Sequence, residues 1–323
     1  MAYTELAIDA LRGIPRIVKG KTNFLYVGTS DWGAEMQKEH PGKVFRTLTD
    51  AIAAVPAGDG TDTFGFVQTV IVMRGYETVT AATAPVTVPL TKSGVLITAA
   101  QPGQGGLTTS VALGADTPLL RIQGYNCWID GLRFYADTVT QTGDCVQFGA
   151  AAGAGVNYCG MSNCLIQGSM SGTYKDFTRA VVTYNGKYMT YKNNWIEIGD
   201  GSTAGFKFAA DAAGNGRSQY LKDNIVYCKD EASNACILVD VDVDQEGGII
   251  DGGLYSNEGS TADVFEIDAA NWTITGHGLA CNADAVGAGA QIDWNGADRT
   301  VGPFYVKQGG GATAPTLFDE SNV

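Results

Sequence analysis

Apolar and polar positions alternate along this chain in short bursts, and the bursts return at a long, regular interval. Seven apolar–polar–apolar triplets follow one another: Leu120-Arg121-Ile122, Val146-Gln147-Phe148, Val182-Thr183-Tyr184, Phe206-Lys207-Phe208, Ile237-Leu238-Val239, Phe265-Glu266-Ile267 and Ile292-Asp293-Trp294. Their starts lie 26, 36, 24, 31, 28 and 27 residues apart, a period that marks stacked repeats. Only Leu238 breaks the polar middle position. Such alternation predicts a strand with one face buried and the other in water. With no helix-length segment between the bursts, the period predicts a solenoid whose coils are built from strands.

A second series runs alongside. Gly131-Leu132, Asn163-Cys164, Asn194-Trp195, Asn224-Ile225, Gly253-Leu254 and Gly278-Leu279 each place Gly or Asn before an apolar residue, at spacings of 32, 31, 30, 29 and 25. Gly and Asn visit the left-handed backbone region at low cost, where other side chains crowd their own carbonyl. A chain that bends sharply once per coil and then sends a side chain inward needs such a residue there. Turns of a β-sandwich would recur about every 10 residues instead. The fold class expected is all-β, a right-handed single-stranded parallel β-helix of about eight coils.

Three segments are expected. Residues 1–44 read as an irregular N-terminal arm, 45–307 as the β-helix and 308–323 as a tail that opens on Gly309-Gly310-Gly311. Around residues 49–55, Thr49 as N-cap, Asp50 in the first turn and Pro56 as terminator predict a short helix. It would cap the open end of the stack, as repeat arrays require.

The segments Phe45-Arg46-Thr47-Leu48-Thr49-Asp50-Ala51-Ile52-Ala53-Ala54-Val55-Pro56, Thr69-Val70-Ile71-Val72-Met73-Arg74-Gly75-Tyr76-Glu77 and Lys92-Ser93-Gly94-Val95-Leu96-Ile97 resemble the opening of the pectate-lyase-like β-helix superfamily. Asn126-Cys127-Trp128-Ile129-Asp130-Gly131-Leu132-Arg133-Phe134 is similar to its common coil. The likeness covers roughly residues 44–300. Pectin methylesterases and many bacteriophage virion proteins share this opening, so it implies a fold and not an activity. A non-repeating arm ahead of it most resembles phage particle proteins.

Charge changes the picture at one place. The chain carries Lys+Arg 21 against Asp+Glu 34, a net −13, which disfavours nucleic acid or an anionic membrane as partner. Residues 1–22 hold Arg12, Arg16, Lys19 and Lys21 against Glu5 and Asp9, so this stretch is +2 and the remainder −15. Those four cations are candidate capsid-docking residues. The N-terminus lacks the basic start and apolar run of a signal peptide, and no transmembrane-length apolar stretch occurs. The seven cysteines (127, 145, 159, 164, 228, 236, 281) lack paired C-x2-C spacing and read as reduced core residues, with no zinc site.

Candidate chemistry is sparse. Gly276-His277-Gly278 resembles a polygalacturonase motif, but the Asn-Thr-Asp, Asp-Asp and Arg-Ile-Lys elements that accompany it are absent, leaving His277 as a turn residue. Trp128-Ile129-Asp130 resembles the pectate lyase Trp-Ile-Asp-His, with Gly131 in place of the histidine. The Gln, Asp pair and Arg of pectin methylesterases find no matching motif. Asp240, Asp242, Asp244 and Glu246 alternate with valines, so a strand would put all four on one face. That face could bind Ca²⁺ or serve a glycosidase, but a solvated surface explains it as well. Tyr188, Tyr191 and Trp195 fall in one coil and could stack on sugars.

The expectation is therefore a bacteriophage virion structural protein, a capsid decoration protein of the cement or head-fibre kind. It would be a homotrimer in contact with the major capsid protein or another virion protein, with no catalytic residues, no cofactor and no enzymatic activity. A polysaccharide-degrading tailspike or secreted lyase or hydrolase is the rival, and a glycan-binding module the third reading.

Overall fold

The computed structural model describes residues 22–28, 31–57, 68–114, 117–136, 143–150, 155–168, 177–199, 202–209, 216–228, 235–240, 246–257, 264–267, 272–282, 292–294, 299–301, 304–307 and 316–317. The chain is an all-β parallel solenoid with three strand ladders, each strand hydrogen-bonded to its counterpart in the next coil. The first face runs through Thr69–Met73, Val95–Ala99, Trp128–Asp130, Gly160–Ser162, Lys187–Lys192 and Arg217–Lys222. The second runs through Gly75–Thr78, Gly105–Thr109, Arg133–Ala136, Leu165–Gly168, Trp195–Ile198 and Ile225–Cys228. Both continue in the long bent strands Glu246–Asn257 and Trp272–Asn282. The third face is an eight-stranded sheet from Val86–Val88 to Ile292–Trp294.

Alternation within each strand fills the interior with stacks of like residues. On the first face Ile71, Ile97, Ile129, Met161, Tyr191, Leu221, Ile250 and Ile274 lie one above another, all buried. Each such side chain contributes roughly 1.5–3 kcal/mol of burial. Tyr191 meets Phe148, Phe206 and Phe208 edge-on at centroid distances of 5.8, 5.4 and 5.7 Å, the favoured aromatic geometry.

The third-face triplets keep the expected register except one. Val181-Val182-Thr183, not Val182-Thr183-Tyr184, aligns with Val146-Gln147-Phe148 and with Phe206-Lys207-Phe208. Thr183 points inward despite its hydroxyl, because that hydroxyl hydrogen-bonds the buried phenol of Tyr191.

Of the expected arm, the described residues 22–28 and 31–44 carry regular elements. Asn23–Val27 pairs in parallel with Thr69–Met73 and also with Val44–Phe45. Between them lies helix α1 (Asp31–Glu39). The capping helix α2 (Leu48–Ala54) starts at Thr47, not Thr49: the Thr47 Oγ1 accepts the Asp50 N–H at 3.1 Å. α2 buries Leu48, Ala51 and Ile52 over the end of the stack. Glu77 faces inward there and accepts the Leu48 N–H at 2.5 Å, filling an orphan donor of the helix N-terminus. Burial holds the Glu77 carboxyl above the usual range, with Asp50 adding to the rise against that hydrogen bond.

Candidate functional site

The corner between the first and second faces sets which side chains reach the surface. Left-handed residues make the bend: Gly131, Asn163, Asn193, Asp223 and Gly252 have φ of 66, 52, 53, 49 and 68°. The first two are where the Gly/Asn spacing puts them, but Asn194 and Asn224 sit one residue past the bend. Gly253 also has positive φ, 103°, and Gly278 follows the exposed corner residue His277. This one-residue offset reverses the orientation expected for the following apolar residue. Leu132 and Cys164 point inward, whereas Trp195 and Leu254 stand outward.

Asn194 and Asn224 have a different task. Both are buried. The Asn194 Oδ1 accepts the Cys164 N–H at 3.1 Å, and the Asn224 Oδ1 accepts the Asn194 main-chain N–H at 3.0 Å. Their amide nitrogens donate to the Met161 and Tyr191 carbonyls, at 3.1 and 3.0 Å. The ladder satisfies corner backbone groups that have no water to turn to.

Just past this corner, one outward position of the second face repeats in register through Tyr76, Gly106, Arg133, Leu165, Trp195, Ile225, Leu254, Leu279 and Tyr305. Tyr76, Trp195, Leu254 and Tyr305 are 46, 50, 39 and 43% exposed, so this row holds four of the eight exposed large hydrophobic side chains among the described residues. From the row itself Arg133 donates to the Gln167 Oε1 at 2.8 Å, and beside the row Gln167 donates to the Glu197 Oε2 at 3.1 Å. The Trp195 Nε1–H donates to the Glu197 Oε1 at 2.7 Å. The indole is thus held by its polar edge while half its surface stays in water.

The other candidate residues are scattered. Tyr191 is core, not surface. Tyr188 is exposed and stacks on Tyr158 with centroids 4.9 Å apart and planes 7° from parallel. Both adopt left-handed backbone, φ 57 and 56°, an unfavourable conformation for a bulky side chain. Asp130 of the Trp-Ile-Asp run is buried and accepts from the Ser162 hydroxyl at 2.7 Å and the Asn163 amide at 2.8 Å. Desolvation raises its pKa although those hydrogen bonds oppose the rise. Asp251, in the same row, accepts from the Tyr220 hydroxyl at 2.7 Å and Lys222 at 3.0 Å. The Tyr220 hydroxyl first, then Lys222, lowers its pKa.

Asp240 pairs with Lys207 at 3.0 Å. Asp242 and Asp244 lie outside the described residues, as do Arg12, Arg16, Lys19 and Lys21. Among the described residues no group of three or more His, Cys, Asp or Glu side chains is placed to hold a metal ion. Six cysteines (127, 145, 159, 164, 228 and 236) are buried thiols that form no disulfide among the described residues.

No protein-family model and no curated protein sequence matches the chain. Solved structures do. The penultimately deglycosylated pectin methylesterase from Aspergillus niger matches at TM-score 0.50 and 10% identity, over 96% of this chain and 95% of that one. The deglycosylated form of that enzyme gives 0.49 over the same shares, also at 10% identity. The ORF18 protein of Geobacillus virus E2 is matched at TM-score 0.31 and 11% identity, over 80% of this chain and 57% of that one. The expectation of a protein without enzymatic activity is thereby corrected. The same fold, along nearly its whole length, is that of an enzyme, so the fold gives no ground for excluding catalysis. At this identity the likeness establishes the parallel β-helix and nothing finer.

Proposed function

We propose that this chain is a structural component of a bacteriophage particle, a capsid decoration protein of the cement or head-fibre kind. The observation that carries the reading is how the chain enters the rod. Asn23–Val27 is locked at the α2-capped end by pairing with Val44–Phe45 and Thr69–Met73. The segment bearing Arg12, Arg16, Lys19 and Lys21 therefore joins an acidic rod at one end. A rod with a cationic segment at one end is suited to anchoring by that end, with its flanks left for neighbours. The opening coil's resemblance to phage virion proteins supports the same reading, and the virion is then the location. Particles purified from the producing host should carry the protein, and deleting residues 2–21 should abolish its incorporation while leaving the β-sheet circular dichroism unchanged. Incorporation at the wild-type level after that deletion would move the attachment to the body.

A second reading, engagement of a polysaccharide as a tailspike, lyase, hydrolase or glycan-binding module, is favoured by the Tyr158–Tyr188 pair. Two tyrosines are held in left-handed backbone where other coils use Asn126, Ser218 and Gly247. Strain kept on a surface is a mark of a binding site. Incubation with capsular and pectic polysaccharides tests it, and release of oligosaccharide or methanol would replace the first reading with this one.

A further inference from the structure

The corner that leads into the first face carries one feature the fold does not need. In register along it stand Asn126, Tyr158, Tyr188, Ser218 and Gly247, with φ of 53, 56, 57, 57 and 75°. Gly and Asn take this left-handed backbone at low cost and Ser is small, whereas a bulky ring is unfavourable there. We infer that the face of the Tyr188 ring turned toward Ser218 is a seat for one pyranose ring, held by stacking and bordered by hydrogen-bond donors. The inference rests on the polysaccharide reading above and gives it a place and a ligand.

The geometry of the stack leaves the seat open. The two rings lie 4.9 Å apart between centroids with planes 7° from parallel, close to the rung step of about 4.8 Å. Tyr158 therefore covers one face of Tyr188, and the other is turned to the next rung. There the side chain is Ser218, itself exposed, and one rung further Gly247 has none. A serine is too small to cover a phenol, and Tyr188 is 46% exposed. The stack stops after two rings with two rungs uncovered, about 10 Å, which is height enough for a third ring.

The border of the seat says what that ring is. Lys187 and Arg217 immediately precede Tyr188 and Ser218 and lie in register with each other. Thr190, partly exposed, stands about 7 Å along the strand on the other side. An aromatic platform with a few polar groups at its rim fits a ligand of the same make-up. A pyranose has one: an apolar C–H face and a belt of hydroxyls that accept from Lys and Arg. An aromatic side chain of a partner protein has no belt to use those donors. A nucleobase brings phosphates, which a chain of net charge −13 repels.

Saturation-transfer NMR with methyl β-glucoside, methyl β-galactoside and methyl N-acetyl-β-glucosaminide tests the seat. At least one should receive saturation, strongest on the C–H protons of one ring face. Tyr158→Asn combined with Tyr188→Asn should abolish the transfer with the circular dichroism unchanged. Should that variant not fold, Ser218→Tyr provides the decision: it removes neither tyrosine, fills the seat with a third ring and should abolish the transfer as well. A wild-type protein that transfers to none of the three glycosides, or transfer that survives in the folded double variant or in Ser218→Tyr, overturns the inference. Affinity electrophoresis in gels containing capsular or pectic polysaccharide separates the two levels. Retardation of the double variant equal to that of the wild type would keep the polysaccharide reading and remove its site from the tyrosines, and a wild type that is neither retarded nor gives transfer would end both.

Discussion

Two outward apolar rows on this rod are treated in opposite ways. On the first face Phe24, Val70, Leu96 and Trp128 stack along successive rungs. The chain covers them itself: Trp32 and Met36 of α1 pack with Tyr26, Val70, Val72, Leu96 and Trp128 in one buried cluster. That row ends at Gly160, where an added Cβ would lie 2.9 Å from the Trp128 ring. On the second face the row through Trp195 has no such cover. The two tryptophans make the contrast plain. Trp128 is 8% exposed, and its indole N–H finds no partner among the described residues. Trp195 is half exposed, yet its N–H is bonded. The first was placed for packing, and the second has its polar edge satisfied and its ring left outside.

The contrast is broken most severely by removing the covered member. Trp128→Ala should destabilise the protein by about 3–5 kcal/mol, since it removes a large ring from this buried cluster and leaves a cavity, measured by urea unfolding. Next comes Asn224→Ala, which leaves the buried Asn194 N–H without its acceptor. A loss of about 1–3 kcal/mol is expected, and a value within error of zero would show that the amide ladder is incidental.

A smaller effect distinguishes two aspartates of one outward row, Asp130 and Asp251. Asp130 has its pKa raised by burial. Its stabilising contribution is complete below the unfolded-state pKa and is lost as pH rises through the folded one, because the folded state then binds more protons than the unfolded. Asp251 has a lowered pKa, so its contribution is present at neutral pH and is lost only as pH falls below the ordinary carboxylate range. The melting temperature should therefore rise as pH is lowered from neutrality towards the ordinary carboxylate range, with Glu77 acting in the same direction. Asp130→Asn should flatten that slope and Asp251→Asn should not. The smallest effect is on the uncovered row. Trp195→Ala should change single-chain stability by no more than about 0.5 kcal/mol, read at concentrations where the unfolding midpoint no longer depends on protein concentration.

The interior was more legible in the sequence than the surface. Inward positions of the third face obey strand alternation, and the triplets show it. The exception, Thr183, has a polar side chain satisfied by an inward phenol, which no period count reveals. The Gly/Asn spacing places the corner one residue late in two coils. Asn193-Asn194 and Asp223-Asn224 each offer two residues that tolerate a left-handed backbone, and only the ladder of buried amides decides which one bends. Sidedness of the next residue depends on that choice, so the turn spacing sends Trp195 inward, whereas its reading as an aromatic that could stack on sugars needs the outward orientation that it has. α1 leaves little trace in the sequence, because Asp31-Trp32-Gly33-Ala34-Glu35-Met36 offers only Trp32 and Met36 as large buried side chains. Two residues carry almost no periodic signal. Of the surface row, Leu165, Ile225 and Leu279 were in plain view, but apolar residues outside a core look the same in sequence as those within it.

The relay through Asn194 and Asn224 also gives the rod a direction in time. The Cys164 N–H waits for Asn194, and the Asn194 N–H in turn waits for Asn224. No coil in this stretch can finish its own hydrogen bonds; each is completed by the one made after it. A chain emerging from its N-terminus therefore always has an unfinished rung at its growing edge, and that rung offers the following thirty or so residues the register they must adopt. The molecule is laid down like courses of masonry, each course set by the one beneath and closed by the one above.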